Sequence, residues 1–394
     1  MTFNFVADSI QKGRAYPALA NLTAETYTAA WRQFRHNYPY TVPADIIDYC
    51  EQHNYPYKLY RLTDSFPGDS YYPVALGFFD FAIDYFDLLP NLVKCYLRDN
   101  ALTLLFYYHE GDNPARIKQR LDQLCAEHDL PNGCYRFVSG NSSANNLANF
   151  VYFADHELLY WSRNSGIPAN DIVYNKTKQF TLLSRTHKWW RATTVADLHR
   201  ANLLVDSIWS YNTQITADDN ITDNPIQIDH LNLRDYLEDF LAKGPYKCDD
   251  LTGDEHNDHH RHVEQHYTDS ACSIILETHF DADQSSGTFL TEKTFKAIKH
   301  GHPFVLLAPA GSLSVLRELG YRTFDSLIDN TYDSIEDNTQ RYLAVKNTIT
   351  QLYNKGDLTE WYISCREDIL HNQRVFTGNK YTRIEDLYTK LQST

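Results

Sequence analysis

What most constrains this chain is an alternation: short unbroken apolar runs are followed by stretches whose apolar residues recur at helical spacing. Ala101–Tyr108 reads ALTLLFYY, with Asp99-Asn100 before it and Glu110-Gly111-Asp112 after it, which marks a strand buried on both faces. Pro114–His128 follows as a helix, with Ile117, Leu121 and Leu124 on one face and Pro114 near its start. Cys134–Val138 is a second short strand ending at Ser139-Gly140-Asn141. Strand, helix, strand in that order is the βαβ unit of a parallel sheet.

The alternation resumes near residue 178. Phe180–Ser184, Ala271–Leu276 and Pro303–Leu307 read as strands, and Trp189–Leu204, Thr291–His300 and Ser312–Leu319 as helices. Gly301 and Gly320 stand just past the last two helices, where a left-handed C-cap favours glycine. At 394 residues the chain exceeds what one hydrophobic core ordinarily holds, so two α/β domains are expected, joined around residues 164–178. In such sheets a ligand binds at the carboxyl ends of the strands, in the cleft between the halves.

Composition removes several function classes. Hydrophobic residues make up 43% and charged residues 22%, which is globular rather than disordered composition. Ala101–Phe106 and Phe304–Ala308 are among the longest apolar stretches, far short of the about 20 residues that span a bilayer, so no transmembrane segment is expected. Met1-Thr2-Phe3-Asn4-Phe5-Val6-Ala7-Asp8 lacks a basic region before an apolar core, so no secretory signal is expected. Seven scattered cysteines without a C-x-x-C pair suit reduced thiols and a cytoplasmic location. The net charge of −15 opposes the lysine- and arginine-driven grip on phosphate backbones, although a local basic cleft remains compatible with it. The outlier is 29 tyrosines against a single Met. A ring with a hydroxyl suits a surface that grips sugars, and equally a core of biased composition.

The most informative stretch is Ser273–Phe324. A buried strand ends in Glu277, a polar loop follows, and Thr291 caps a helix whose first turn holds Glu292 and Lys293. Unpaired N–H groups and the positive dipole end make that helix start a ready anion site. Lys293 adds a full charge for a phosphate, and Glu292 has two acceptor oxygens for a pair of ribose hydroxyls. The same residues also describe a capped helix with solvated charges.

Glu277, the loop, Phe289-Leu290-Thr291-Glu292-Lys293-Thr294-Phe295 and His302-Pro303-Phe304-Val305 together resemble the donor-binding segment of α1,3-fucosyltransferases and related GT-B glycosyltransferases. Uncharacterised fucosyltransferase-like proteins of phage and environmental origin are more similar still, through Gly301-His302-Pro303-Phe304 and the run Leu316–Phe324. Lys178–Asn212 resembles the start of the same C-terminal domain, in which an Arg opening a helix contacts the nucleotide diphosphate. Arg185, Lys188 and Arg191 are the matching cations, with Arg191 nearest the family position and Tyr211-Asn212 near the base or ribose. Arginine suits that task because it makes paired, charge-assisted bonds to phosphate oxygens. A basic surface turn is the alternative.

The N-terminal half carries a shorter match. His109-Glu110-Gly111-Asp112-Asn113-Pro114 resembles the strand-end Glu-Ser-Pro of the fucosyltransferases, whose carboxylate faces the acceptor. Glu110 is the first candidate for the general base and Asp112 the second; either also fits a loop carboxylate at a helix start.

The resemblance implies a GT-B-like fold of two Rossmann-like domains facing a central cleft. The acceptor-side domain would cover 1–172 and the sugar-nucleotide domain 178–375, with 376–394 a helical segment packing back on the first domain. It implies a glycosyltransferase that moves a sugar from a nucleoside-diphosphate sugar to an acceptor hydroxyl, with no cofactor and no metal. Glu277 would orient donor hydroxyls and Thr291-Glu292-Lys293 would hold the nucleotide. The acceptor is a glycan, lipid, protein or modified DNA base, and a viral protein would act in the host cytoplasm. Two other functions remain open: a DNA glycosyltransferase acting on a hydroxymethylated base, and a non-catalytic module that binds the nucleotide sugar.

Two metal-like patterns count for less. His256, His259, His260, His262 and His266 crowd among acids without a recognised ligand spacing, and read as a solvated or acceptor-facing helix. Asp281-Ala282-Asp283 spells the D-x-D of GT-A enzymes but reads here as a solvated turn.

Overall fold

The computed structural model describes residues 2–7, 10–11, 14–15, 56–76, 79–87, 89–108, 110–157, 172–214, 220–248, 263–281 and 287–393. The chain is α/β and divides into two compact units. The N-terminal unit comprises Met1–Asp155, Ser285–Gly287 and Lys380–Thr394, and the C-terminal unit comprises His156–Gln284 and Thr288–Asn379.

In the N-terminal unit the strands are β1 (Phe3–Ala7), β2 (Ile10–Gln11), β3 (Arg14–Ala15), β4 (Tyr57–Arg61), β5 (Tyr71–Ala75), β6 (Thr103–Tyr108), β7 (Tyr135–Ser139) and β8 (Phe150–Tyr152). The parallel strands lie in the order β4-β1-β5-β6-β7-β8, so the winding reverses between β1 and β5. β2 pairs with β5 at Ile10 and Val74 and turns antiparallel into β3. Helices α1 (Asn91–Arg98) and α2 (Pro114–Glu127) belong to this unit. α2 starts where expected because Pro114 occupies its first turn and the Asn113 side chain accepts from the amides of Ala115 and Arg116. Ile117, Leu121 and Leu124 are its buried face. Burying each such side chain contributes about 1.5–3 kcal/mol, which outweighs the helix's polar remainder.

The C-terminal unit repeats the scheme with a second parallel sheet. Its strands are β9 (Lys178–Ser184), β10 (Ile208–Tyr211), β11 (Ser270–Leu276) and β12 (Phe304–Leu307), in the order β10-β9-β11-β12. Its helices are α3 (Trp189–Arg200), α4 (Arg234–Lys243), α5 (Glu264–Asp269), α6 (Glu292–Lys299), α7 (Ser312–Glu318), α8 (Asn338–Tyr353) and α9 (Leu358–Ser364). α3 stops before the expected Leu204 because Asn202 takes a left-handed conformation, φ 58°, and Leu203 N–H bonds back to Leu198. Asn is the residue after Gly that tolerates this cap, and it is the signal the expectation missed. Gly301 and Gly320 do take left-handed φ, 65° and 94°.

The last helix, α10 (Arg366–Ser393), begins in the C-terminal unit and ends in the other. There Tyr71 Oη donates to Leu391 O at 3.0 Å, and Phe3 meets Tyr388 edge-on at 4.4 Å. Among the described residues no helix is long and apolar enough to cross a membrane.

Among the described residues, most tyrosines are buried. Tyr72, Tyr85, Tyr107, Tyr108, Tyr135, Tyr211, Tyr332, Tyr342 and Tyr362 are fully buried. Many of their hydroxyls have named partners, such as Asp122 for Tyr135 at 2.7 Å and the Gly301 carbonyl for Tyr362 at 2.6 Å. Such a partner offsets the cost of taking a hydroxyl out of water.

His302, inside the Gly-His-Pro-Phe motif, is a buried joint between β11 and β12. Its Nε2 lies 2.7 Å from the Ser270 carbonyl and must donate; Nδ1 then accepts from Ser273 Oγ at 2.6 Å. Burial, aided by the nearby Lys176 charge, lowers its pKa from 6.5 to about 3. Between those values an unfolded chain takes up a proton that the folded one refuses, so stability falls as pH drops through the window. Each pH unit in that window costs up to about 1.4 kcal/mol. His302→Gln is expected to flatten this part of the acid limb, read as urea midpoints from neutral pH downward. An unchanged slope relative to wild type would refute the assignment.

Candidate functional site

In the C-terminal unit the strand order reverses between β9 and β11, and ligands of doubly wound sheets bind at the carboxyl ends of strands flanking such a point. β9 ends at Ser184, β11 at Leu276. The segments leaving these two ends bring Lys188, Arg191, Glu277, Thr278, Thr291 and Lys293 together through a chain of contacts.

Glu277 is the centre of that chain. It is fully buried, and both carboxylate oxygens are engaged by protein donors. Oε1 accepts from Thr291 N–H at 3.0 Å and Thr294 Oγ1 at 2.6 Å; Oε2 accepts from Thr291 Oγ1 at 2.5 Å and Thr278 N–H at 3.3 Å. The expectation that Glu277 orients donor hydroxyls therefore needs correction. It is the post that ties the start of α6 to the end of β11.

Thr291 is the N-cap of α6, as expected, with its Oγ1 accepting from Lys293 N–H at 3.4 Å. Lys293 Nζ lies 3.1 Å from Thr291 Oγ1, 3.5 Å from Thr278 Oγ1 and 3.1 Å from Glu292 Oε1. Its side chain is 30% exposed, so a ligand can reach the ammonium. Lys188 Nζ donates to Thr278 O in the same loop at 2.7 Å.

Arg191 differs from the expectation that it presents its guanidinium to a diphosphate. It sits in the first turn of α3, buried, and donates to the main-chain oxygens of Thr186 at 3.3 Å and Glu277 at 2.5 Å. Burial pushes its pKa down, and the Glu277 carboxylate opposes that shift. Its Nε is buried without a hydrogen-bond partner. Arg191 is thus a positive charge set beneath the loop, clamping two backbone turns.

The loop after β11 is fixed further by residues the sequence reading missed. Trp190 stacks on Phe280 at 5.1 Å, and the Arg341 guanidinium lies 4.5 Å from the Phe280 ring. Arg341 also donates to the Phe280 and Ala308 carbonyls. Its place in α8, about 60 residues away in sequence, gave no local signal.

The other sequence candidates are placed as follows. Arg185 follows β9 and is half-buried. Tyr211 is fully buried at the end of β10, its hydroxyl 2.9 Å from His187 Nδ1, so its ring is not an open platform for a base. Asn212 N–H bonds to Ser184 O at 3.0 Å, which holds it level with the end of β9. Asp281 is half-buried, while Ala282 and Asp283 lie outside the described residues. His256, His259, His260 and His262 also lie outside them, and His266 is buried in α5 rather than solvated. Among the described residues no group of three His, Cys, Asp or Glu side chains is arranged to hold a metal ion.

In the N-terminal unit, Glu110 and Asp112 lie in the loop after β6, both half-buried. Asp112 accepts from Tyr108 Oη, and the buried Asn141 pins the loop by donating to Gly111 O at 2.9 Å. Burial, then the Asp112 charge, pushes the Tyr108 hydroxyl pKa far upward, so it stays a donor. Asp155, just past β8, is buried and accepts from Tyr107 Oη at the same sheet edge. The reading missed it. Phe150–Ala154 followed by Asp155-His156 repeats the apolar-run-then-acid pattern of Ala101–Asp112 and could have revealed it.

No protein-family model, curated protein or solved structure matches the chain.

Proposed function

We propose that the chain is a metal-independent glycosyltransferase of the GT-B type, moving a sugar from a nucleoside-diphosphate sugar to an acceptor hydroxyl. The observation that carries this reading is the gathering of Lys188, Arg191 and Lys293 around one loop at the reversal point of a parallel sheet. In a chain of net charge −15, three cations from two distant segments converge where such sheets bind phosphorylated ligands.

In this reading Lys293 and Lys188 contact the diphosphate, with Arg185 at the end of β9 and Arg191 adding charge from beneath. Glu292 accepts from the ribose hydroxyls, and Asn212 borders the base. The cations stabilise the departing diphosphate as the bond from the sugar's anomeric carbon to phosphate oxygen breaks. The new bond forms to the acceptor oxygen, whose proton passes to Glu110, or to Asp112 in its place. The acceptor is a glycan, lipid, protein or modified DNA base, met in the cytoplasm.

Thermal shift against UDP, GDP, ADP and CDP tests the donor site directly. One base is expected to stabilise the protein, by about 2.7 kcal/mol at a hundredfold excess over Kd. No shift with any of the four would refute the reading. Binding without sugar release or transfer from any matching donor would instead identify a non-catalytic nucleotide-sugar module.

A further inference from the structure

We infer that His156 is a positioning residue for Glu292 and thereby gives the site a preference for ribose over 2′-deoxyribose. The inference rests on the donor-site reading above and deepens it. His156 Nδ1 lies 3.7 Å from Glu292 Oε2, while Lys293 Nζ lies 3.1 Å from Oε1. Each carboxylate oxygen thus faces a different nitrogen. The two side chains are only 12% and 10% exposed, so water screens the pair weakly.

The imidazole is itself fixed. Its ring meets Phe289 edge-on at 5.3 Å, and Phe289 is buried three residues before Glu292. His279 lies against the same Phe289 ring at 6.1 Å. His156 therefore reads one short stretch twice, through Phe289 and through Glu292. Arg191 on α3 also bears on Glu292, and the buried Tyr267 hydroxyl on α5 feels its charge.

A glutamate at a helix start has three rotatable bonds, and the adjacent Lys293 restrains only one of its oxygens. Restraint of the second oxygen from outside the helix leaves one carboxylate orientation. A planar carboxylate held that way accepts from two neighbouring hydroxyls at once, which a ribose offers and a 2′-deoxyribose does not. His156 thus acts on the sugar through Glu292, without touching the phosphates.

Calorimetry with UDP, GDP, ADP, CDP and their 2′-deoxy counterparts tests this on the full chain as wild type, His156→Ala, His156→Gln and Glu292→Gln. Wild type is expected to favour the ribonucleotide by about tenfold. In His156→Ala that ratio should fall toward one, with deoxynucleotide affinity unchanged. His156→Gln keeps a donor and should restore most of the preference. Glu292→Gln, with His156 intact, should lose it, which provides a test even if His156→Ala does not fold. A ratio that survives in His156→Ala or in Glu292→Gln overturns the inference, as does equal loss of both nucleotides in His156→Ala. If wild type binds none of the four ribonucleotides, the donor-site reading itself fails, an outcome distinct from the others.

Discussion

Lys293→Ala is expected to weaken nucleoside-diphosphate binding by about 10- to 100-fold while leaving the fold in place. A charge-assisted bond to phosphate contributes about 1.5–3 kcal/mol, and the Lys293 side chain is 30% exposed whereas Arg191 is buried. The contacts of Lys293 are to the Thr291 and Thr278 hydroxyls and to the buried Glu292 carboxylate, which still has His156 Nδ1 3.7 Å from its other oxygen when the ammonium is lost. Calorimetry and a melting curve on the same preparation separate the two effects. Wild-type affinity in the variant would remove Lys293 from the donor site; a collapsed melting temperature would make it structural.

Glu277→Ala should do the opposite. Its carboxylate takes four hydrogen bonds, and Arg191 is buried beside it with its guanidinium on the Glu277 carbonyl. Removing one member of such a buried charged assembly costs about 3–5 kcal/mol, because the remaining charge and donors stay desolvated and unpaired. The expected reading is a large drop in the denaturation midpoint, with α6 losing its anchor and nucleotide binding lost as a consequence. Glu277→Gln keeps one carbonyl acceptor and should fall between. A midpoint within about 1 kcal/mol of wild type in Glu277→Ala would show that Arg191 and Thr291 find other partners.

These two residues show how far the sequence could be read. The strand ending at Glu277 and the helix capped by Thr291 were both visible, because a buried strand is a continuous apolar run and a cap is a single side chain next to its helix. The roles divided differently. Lys293 is partly exposed in the first turn of α6, but Glu277 turned inward. Nothing local separates a carboxylate facing a ligand from one facing Thr291, Thr294 and Thr278, since the difference is which backbone folds over it. Arg191 follows the same logic: three cations near a strand end were legible, but which of them the loop buries was not.

By itself, the sequence determined the α/β class, the central strands and helices from residue 101 to 138 and around residues 180–200 and 271–319, and the end signals at Pro114, Thr291, Gly301 and Gly320. Those depend on residues a few positions apart, where apolar period and cap chemistry act directly. Only the tertiary structure decided the order β10-β9-β11-β12, which sets the reversal point beside Lys188, Arg191 and Lys293. It alone brought Arg341 and His156 to the site, and placed so many of the tyrosines in the core. Strand order and burial arise from contacts between segments far apart in the chain, and no local pattern of residues encodes which of them meet.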